Sequence, residues 1–211
     1  MKKILLIATG GTIASENGAN GLEPALQAGG LLPYLVGVAE NYEITTKDIL
    51  HLDSSNIQPE EWVLIARSVY EHHKEYDGII ITHGTDTMAY TASALSFMFE
   101  NLTKPVILTG SQLPMGQLRT DGKENLITAI ELAAAHDEEG NALVPEVCVF
   151  FGQHLFRGNR TTKSSSENFN AFSSYNYPEL ARTGINVNYN FIGLDLTVTP
   201  WNMFTSFAFT W

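Results

Sequence analysis

The chain of 211 residues holds a single cysteine, Cys148, so an internal disulfide is excluded. That thiol lies in the apolar run Val147 to Phe151 and reads as a core residue, not a nucleophile. Positive charge is also scarce. Lys and Arg number 12 against 23 Asp and Glu, a formal net charge of −11. Affinity for phosphate backbones and for anionic membrane surfaces comes from Lys and Arg. The balance therefore argues against nucleic acid and acidic lipid and leaves small molecules as partners. No apolar stretch is long enough for a transmembrane helix. Lys2 and Lys3 precede an apolar segment, but it reaches only Ala8 and no small-residue cleavage pattern follows, too short for a secretion signal. A cytoplasmic location is expected. The six histidines show no ligand spacing, and His83, abutting Gly84, reads as structural. No metal is expected.

What is present is most concentrated near the start. Ile4-Leu5-Leu6-Ile7-Ala8 runs into Thr9-Gly10-Gly11-Thr12-Ile13-Ala14. An unbroken apolar run reads as a strand buried on both faces, as in a parallel sheet. Ligands of open α/β sheets gather at the carboxyl ends of such strands, which is where Thr12 sits.

Strand and helix patterns then alternate. Ile44 to Leu52 reads as a strand, and Pro59 opens a helix with Glu60 and Glu61 in its first turn, where the helix dipole favours negative charge. Ile79 to Thr82 is the next strand, followed by a helix with Met88, Ala92, Leu95 and Phe99 on one face. Pro105 to Thr109 is a strand, Asp121 with Glu124 resembles a capping box, a helix runs through Ala135, and Glu146 to Phe151 is a further strand. No tight hairpin signal separates them. The expectation is an α/β fold: a doubly wound, mainly parallel sheet with helices on both faces. Ser15 to Gly30, polar and glycine-rich, reads as a lid or an exposed connector. From Phe191 to Trp211 the charge falls to Asp195 alone and aromatics crowd the stretch, so 191–211 is set apart as an atypical aromatic tail.

Three strand ends carry hydroxyls: Thr12, then Ser54 and Ser55 after Asp53, then Thr85 beside Asp86. In a parallel sheet these ends share one edge. Thr12 is either a turn cap or a nucleophile, and a hydroxyl nucleophile needs a neighbouring base. Backbone N–H groups near Gly11 and Thr12 are candidates for stabilising an oxyanion. Asp86 either caps a helix or accepts a ligand ammonium. Ser54 and Ser55 either shape the turn or bind. Arg157-Gly158-Asn159-Arg160-Thr161-Thr162-Lys163 is the densest basic patch of an acidic chain; it is a solvated loop, or it sends Lys163 to a threonine hydroxyl.

Taken together, these motifs resemble the bacterial-type L-asparaginase family. Thr9-Gly10-Gly11-Thr12-Ile13-Ala14 resembles its first signature and His83-Gly84-Thr85-Asp86-Thr87-Met88 its second. Asp53-Ser54-Ser55, the run from Ala89-Tyr90-Thr91 to Phe97, and Thr109-Gly110-Ser111-Gln112 also match, and Gly158-Asn159-Arg160-Thr161-Thr162-Lys163 resembles the cytosolic type I branch. The resemblance implies that residues 1–190 are the N-terminal catalytic domain and that the family's smaller C-terminal domain is missing. It implies hydrolysis of L-asparagine to L-aspartate and ammonia through an acyl-enzyme on Thr12, without a cofactor, in a homodimer or homotetramer. By the same route Thr85, Asp86 and Lys163 form the second catalytic group, and Asp53, Ser54, Ser55, Thr85 and Asp86 bind substrate. Many relatives carry a tyrosine in the loop after the first signature; here the comparable stretch is Asn20-Gly21-Leu22-Glu23-Pro24. Two other readings are a truncated domain that binds an amino acid or self-associates without catalysis, and the glutaminase subunit of a tRNA-dependent amidotransferase.

Overall fold

A computed structural model describes residues 1–18, 21–24, 26–38, 40–191 and 202–203. Its frame is built from β1 (Lys2–Gly10), β2 (Tyr42–Leu52), α1 (Pro59–His72), β3 (Gly78–Thr82), α2 (Met88–Met98), β4 (Val106–Thr109), α3 (Gly122–Ala134) and β5 (Val147–Phe151). Three further strands follow: β6 (His154–Arg157), β7 (Ala181–Thr183) and β8 (Val187–Tyr189). All eight strands form one sheet in the order β8-β7-β6-β5-β4-β3-β1-β2.

The apolar runs are continuous because both faces of the sheet are covered. Ile4, Leu6, Ile80, Ile107, Cys148 and Phe150 point to one side, where they meet Leu126 and Ile130 of α3 and Leu31 and Leu35 of the turn Ala28–Leu35. Leu5, Ile7, Ile79, Ile81, Leu108 and Val149 point to the other, against Ile65 and Val69 of α1 and Met88 and Leu95 of α2. Each fully buried aliphatic of this kind contributes about 1.5–3 kcal/mol relative to exposure. Cys148 is among them, and burial pushes its thiol well above the usual range, as befits an inert core residue.

Strands β2, β1, β3, β4 and β5 run parallel in that order, and the chain crosses to opposite sides of β1 on leaving β1 and on reaching β3. This is the 2-1-3-4-5 order, whose topological switch point lies between β1 and β3. A crevice therefore opens above the carboxyl ends of those two strands. Register with β2 shifts between Ala8 and Gly10, where two extra residues of β2 bulge, and Gly10 stays paired with Leu52.

The sheet is mainly parallel as expected, and beyond β5, the last strand read from sequence, it turns antiparallel. Phe151-Gly152-Gln153-His154 is a tight hairpin into antiparallel β6, with Gly152 at φ 63 as its first central residue. β7 and β8 continue antiparallel. Asp121 caps nothing with its side chain: its carboxylate accepts from the backbone N–H of Gln112 at 3.0 Å and of Leu113 at 3.1 Å. The reciprocal capping box is at α1 instead, between Gln58 and Glu61. Ser15–Gly18 and Gly21–Pro24 pair as an antiparallel ribbon. Of the aromatic tail 191–211, Phe191 and the short strand Asn202–Met203, paired with Phe99–Glu100, are described; the rest lies outside the described residues.

Candidate functional site

Two glycines carry the chain from β1 into the crevice. Gly10 and Gly11 hold φ of 107° and 83°, and Gly11 packs so closely on the β3 end that a Cβ there would lie 2.4 Å from the Gly84 nitrogen. Thr12 follows at once, half-buried, opening the single turn Thr12–Ala14. The backbone of β1 is thus pressed directly against that of the loop after β3, with no side chain between them.

The end of β2 joins the same contact. A Cβ on Gly84 would meet the Ser54 Oγ at 2.6 Å, and the Thr87 hydroxyl donates to the Ser54 carbonyl at 2.7 Å. Ser54 is 2% exposed. Gly11, Thr12, Ser15, Asp53, Ser54, Gly84, Thr85 and Asp86 line a cavity of about 180 Å³. At about 30 Å³ per water this is room for roughly six waters, the scale of a small amino acid and not of a peptide.

Lys163 reaches two residues of this lining, Thr85 from 78 positions away and Asp86 from 77. It sits on the two-residue strand Thr162–Lys163, paired with Phe172–Ser173. Its Nζ donates to Thr85 Oγ1 at 2.8 Å and to Asp86 Oδ1 at 2.7 Å. The Thr85 hydroxyl in turn donates to Gln112 Oε1 at 3.2 Å. A hydroxyl has one proton and two lone pairs. With the proton on Gln112 and one lone pair facing Lys163, the second lone pair of Thr85 is left for a group in the cavity. Asp86 is largely exposed, so its ion pair with Lys163 fixes geometry more than it stabilises the fold. The N-cap position of α2 belongs to Thr87, not Asp86.

The remaining residues singled out from sequence divide. Asp53 lines the cavity, but its Oδ1 accepts from both the Ser55 hydroxyl at 2.7 Å and the Ser55 N–H at 2.8 Å. The Ser55 hydroxyl bond, then the N–H bond, hold the Asp53 carboxyl below its ordinary range. Ser55 itself is exposed, turned to Asp53, and is not among the lining residues. The Gly11 N–H is committed to the Leu52 carbonyl at 3.2 Å and is not free for an oxyanion. No tyrosine is among the described residues lining the cavity.

Sequence reasoning named Gln112 only as part of a matching stretch and gave it no role; its amide ties Thr85 to the carbonyls of Ser166 and Asn168, both at 3.1 Å. The same reasoning left out Ser15, whose hydroxyl donates to the Gly11 carbonyl at 3.0 Å. Gln112 had a signal, since it follows a strand end as Thr12 and Thr85 do. Ser15 had none beyond its nearness to Thr12. Among the described residues no cluster of His, Cys, Asp or Glu could hold a metal ion, and no helix is long and apolar enough to cross a membrane.

Fold and cavity define an α/β domain with a small polar cleft at its switch point, lined by hydroxyls and the carboxylates of Asp53 and Asp86, with the Lys163 ammonium bonded to that lining. Comparison with known proteins agrees with that class and narrows it. The family model "Asparaginase, N-terminal" matches residues 3–192. Over 192 residues the chain is 45% identical to L-asparaginase 1 of Escherichia coli K12, a match covering 88% of this chain and 54% of that protein. The solved structure of the thermostable L-asparaginase from Thermococcus kodakarensis superposes with a TM-score of 0.83 at 43% identity, covering 95% of this chain and 60% of that one. L-asparaginase I of Vibrio cholerae superposes with a TM-score of 0.82 at 41% identity, with 96% and 60% covered. The chain belongs to the asparaginase family and matches its N-terminal domain. It spans little more than half the length of these relatives.

Proposed function

We propose that the chain is the catalytic domain of an amidohydrolase that converts L-asparagine to L-aspartate and ammonia through a threonyl acyl-enzyme. The observation that carries the reading is one cavity lined by both Thr12 and Thr85, with Lys163 2.8 Å from the Thr85 hydroxyl and 2.7 Å from Asp86. Thr12 Oγ1 attacks the side-chain amide carbon. The C–N bond breaks, ammonia leaves with the proton, and an aspartyl ester remains on Thr12. Water then attacks the ester, and aspartate leaves as Thr12 regains its hydroxyl. Thr85, polarised by Lys163, orders the attacking group through its spare lone pair. Ser54 receives the substrate α-carboxylate and Asp86 its α-ammonium, matching a zwitterion with one donor and one acid. Asp53 and Ser55, bonded to each other, set the turn that presents Ser54.

This reading carries with it a cytoplasmic location, in keeping with the acidic composition, and assembly as a homodimer or homotetramer. Exposed Leu118, Ile185, Tyr90 and Phe97 supply apolar surface for such assembly. The test is ammonia release from L-asparagine by the full chain and by Thr12→Ala. Loss of the nucleophile is expected to lower turnover by at least about 10²-fold. Activity that survives Thr12→Ala removes Thr12 as nucleophile, and a folded wild-type chain that releases no ammonia overturns the hydrolase reading. Because the chain spans 54% of the Escherichia coli relative, a non-catalytic domain that binds an amino acid is the second reading. L-aspartate binding in calorimetry without turnover would favour it.

A further inference from the structure

Behind Thr85 lies a fully buried histidine that the proposed chemistry does not use. His83 is 0% exposed. Its Nδ1 lies 2.7 Å from the Gly84 carbonyl and its Nε2 lies 2.9 Å from the Thr91 hydroxyl of α2. Thr91 Oγ1 in turn accepts from the Trp62 indole N–H of α1 at 3.0 Å. A carbonyl can only accept, so Nδ1 carries the ring proton and Nε2 offers a lone pair to the Thr91 hydroxyl. All the hydrogens then point one way, from Trp62 through Thr91 and His83 to the Gly84 carbonyl.

We propose that His83 is a positioning residue for the site: its Nδ1–H pins the Gly84 carbonyl, and Thr91 and Trp62 hold the ring in the one tautomer able to do so. The proposal rests on the asparaginase reading for what Thr85 does, but not for its geometry. The Gly84–Thr85 peptide is planar, so fixing its carbonyl fixes the N–H and Cα of Thr85 as one body. Gly84 is also where the three strand ends meet, with the Gly11 backbone on one side and the Ser54 side chain on the other. A glycine in that place has no side chain of its own to anchor it. The ring supplies that anchor from behind, on the face of the loop away from the cavity. Burial pushes the His83 pKa down to about 4, so the ring stays neutral and keeps one donor and one acceptor.

The experiment uses the full chain, labelled with ¹⁵N. Long-range ¹H–¹⁵N spectra of the imidazole report the tautomer directly. Nδ1–H is expected, and a ring protonated at Nε2 overturns the proposal. Two variants then separate the roles of the ring nitrogens. His83→Asn, the conservative variant, places an amide N–H near the Nδ1 position. His83→Gln reaches the Nε2 position and loses the anchor. His83→Gln is expected to shift the Thr85 amide resonance and lower kcat about tenfold or more, with KM moving less than about threefold, while His83→Asn rescues most of both. Equal behaviour of two folded variants overturns the proposal. Should neither fold, Thr91→Val, which leaves His83 in place but takes the hydroxyl from Nε2, is expected to keep the Nδ1–H tautomer and shift the Thr85 amide resonance; an unchanged resonance shows that Thr91 does not hold the ring and overturns that part. A wild type that releases no ammonia overturns the asparaginase reading alone, since tautomer and Thr85 resonance still decide for or against His83.

Discussion

Replacing Gly11 by Ala is the sharpest single perturbation of this site, because its effect is set by backbone against backbone. Gly11 holds φ 83° and ψ 176°, a region essentially confined to glycine, where a side chain costs about 1–3 kcal/mol. A Cβ would also stand 2.4 Å from the Gly84 nitrogen and 2.5 Å from its Cα. Neither atom belongs to a flexible side chain, so overpacking adds about 1–3 kcal/mol more. The sum, about 2–6 kcal/mol, is a large part of the roughly 5–15 kcal/mol that holds a domain folded. At the middle of that range the melting temperature falls by about 8–16 °C for a chain of this size. Gly29→Ala is the control, since nothing lies within 4 Å of its Cβ and its φ is not positive. It should be neutral, or stabilise by about 0.4–1 kcal/mol through the unfolded chain. Thermal unfolding followed by far-UV circular dichroism reads both. If Gly11→Ala melts within about 2 °C of Gly29→Ala, less than about 1 kcal/mol separates them and the close approach of β1 to the Gly84 loop is refuted.

Lys163→Met removes the donor to Thr85 and the partner of Asp86 together; turnover of L-asparagine should fall by about 10²–10⁴-fold with the melting temperature little changed. Lys163→Arg should not restore it, because a planar guanidinium cannot replace a point ammonium between two oxygens. Acid should weaken the fold through His83. Its pKa is about 4 folded against an ordinary 6.5, so between these values the unfolded chain binds the extra proton and stability drops as pH falls. The contribution is complete above pH 6.5 and gone below about 4, with about 2 kcal/mol of it lost between pH 7 and pH 5. Urea unfolding of the wild type and His83→Asn at those two pH values checks this: the variant should lack that part of the slope, and equal slopes refute a buried neutral ring.

Strands β1, β3, β4 and β5 were legible because each is buried on both faces and so carries an unbroken apolar run, as in Ile4 to Ala8 and Ile79 to Ile81, whereas β2 at the sheet edge is only half-buried and its run is broken by Lys47 and Asp48. The α1 start was legible from Pro59 and the glutamates beside it, whose chemistry is local. The antiparallel end of the sheet was not. β7 and β8 are three residues each and largely polar, and the Gly152-Gln153 turn into β6 lay unread inside an apolar stretch. Asp121 had the spacing of a capping box, but its carboxylate is taken by two N–H groups of the Gln112 loop, a long-range contact that no local pattern shows. Within the site, Thr12, Ser54 and Thr85 were readable as strand ends. The contact of Lys163 with Thr85 spans 78 residues; the residues alone offered it as one of two uses of a basic patch, and the family resemblance singled it out. The chain from Trp62 through Thr91 to His83 joins three elements and had no sequence signal at all.

Thr12, Ser54 and Thr85 stand at the ends of adjacent parallel strands, but the ammonium that addresses Thr85 comes from beyond the reversal at β5 and β6, on Thr162–Lys163 beside Phe172–Ser173. The cleft is therefore shared property: the parallel layer provides its hydroxyls, and a two-residue ribbon outside that layer provides its cation. Whatever repositions the ribbon retunes Thr85 without touching the strand it ends.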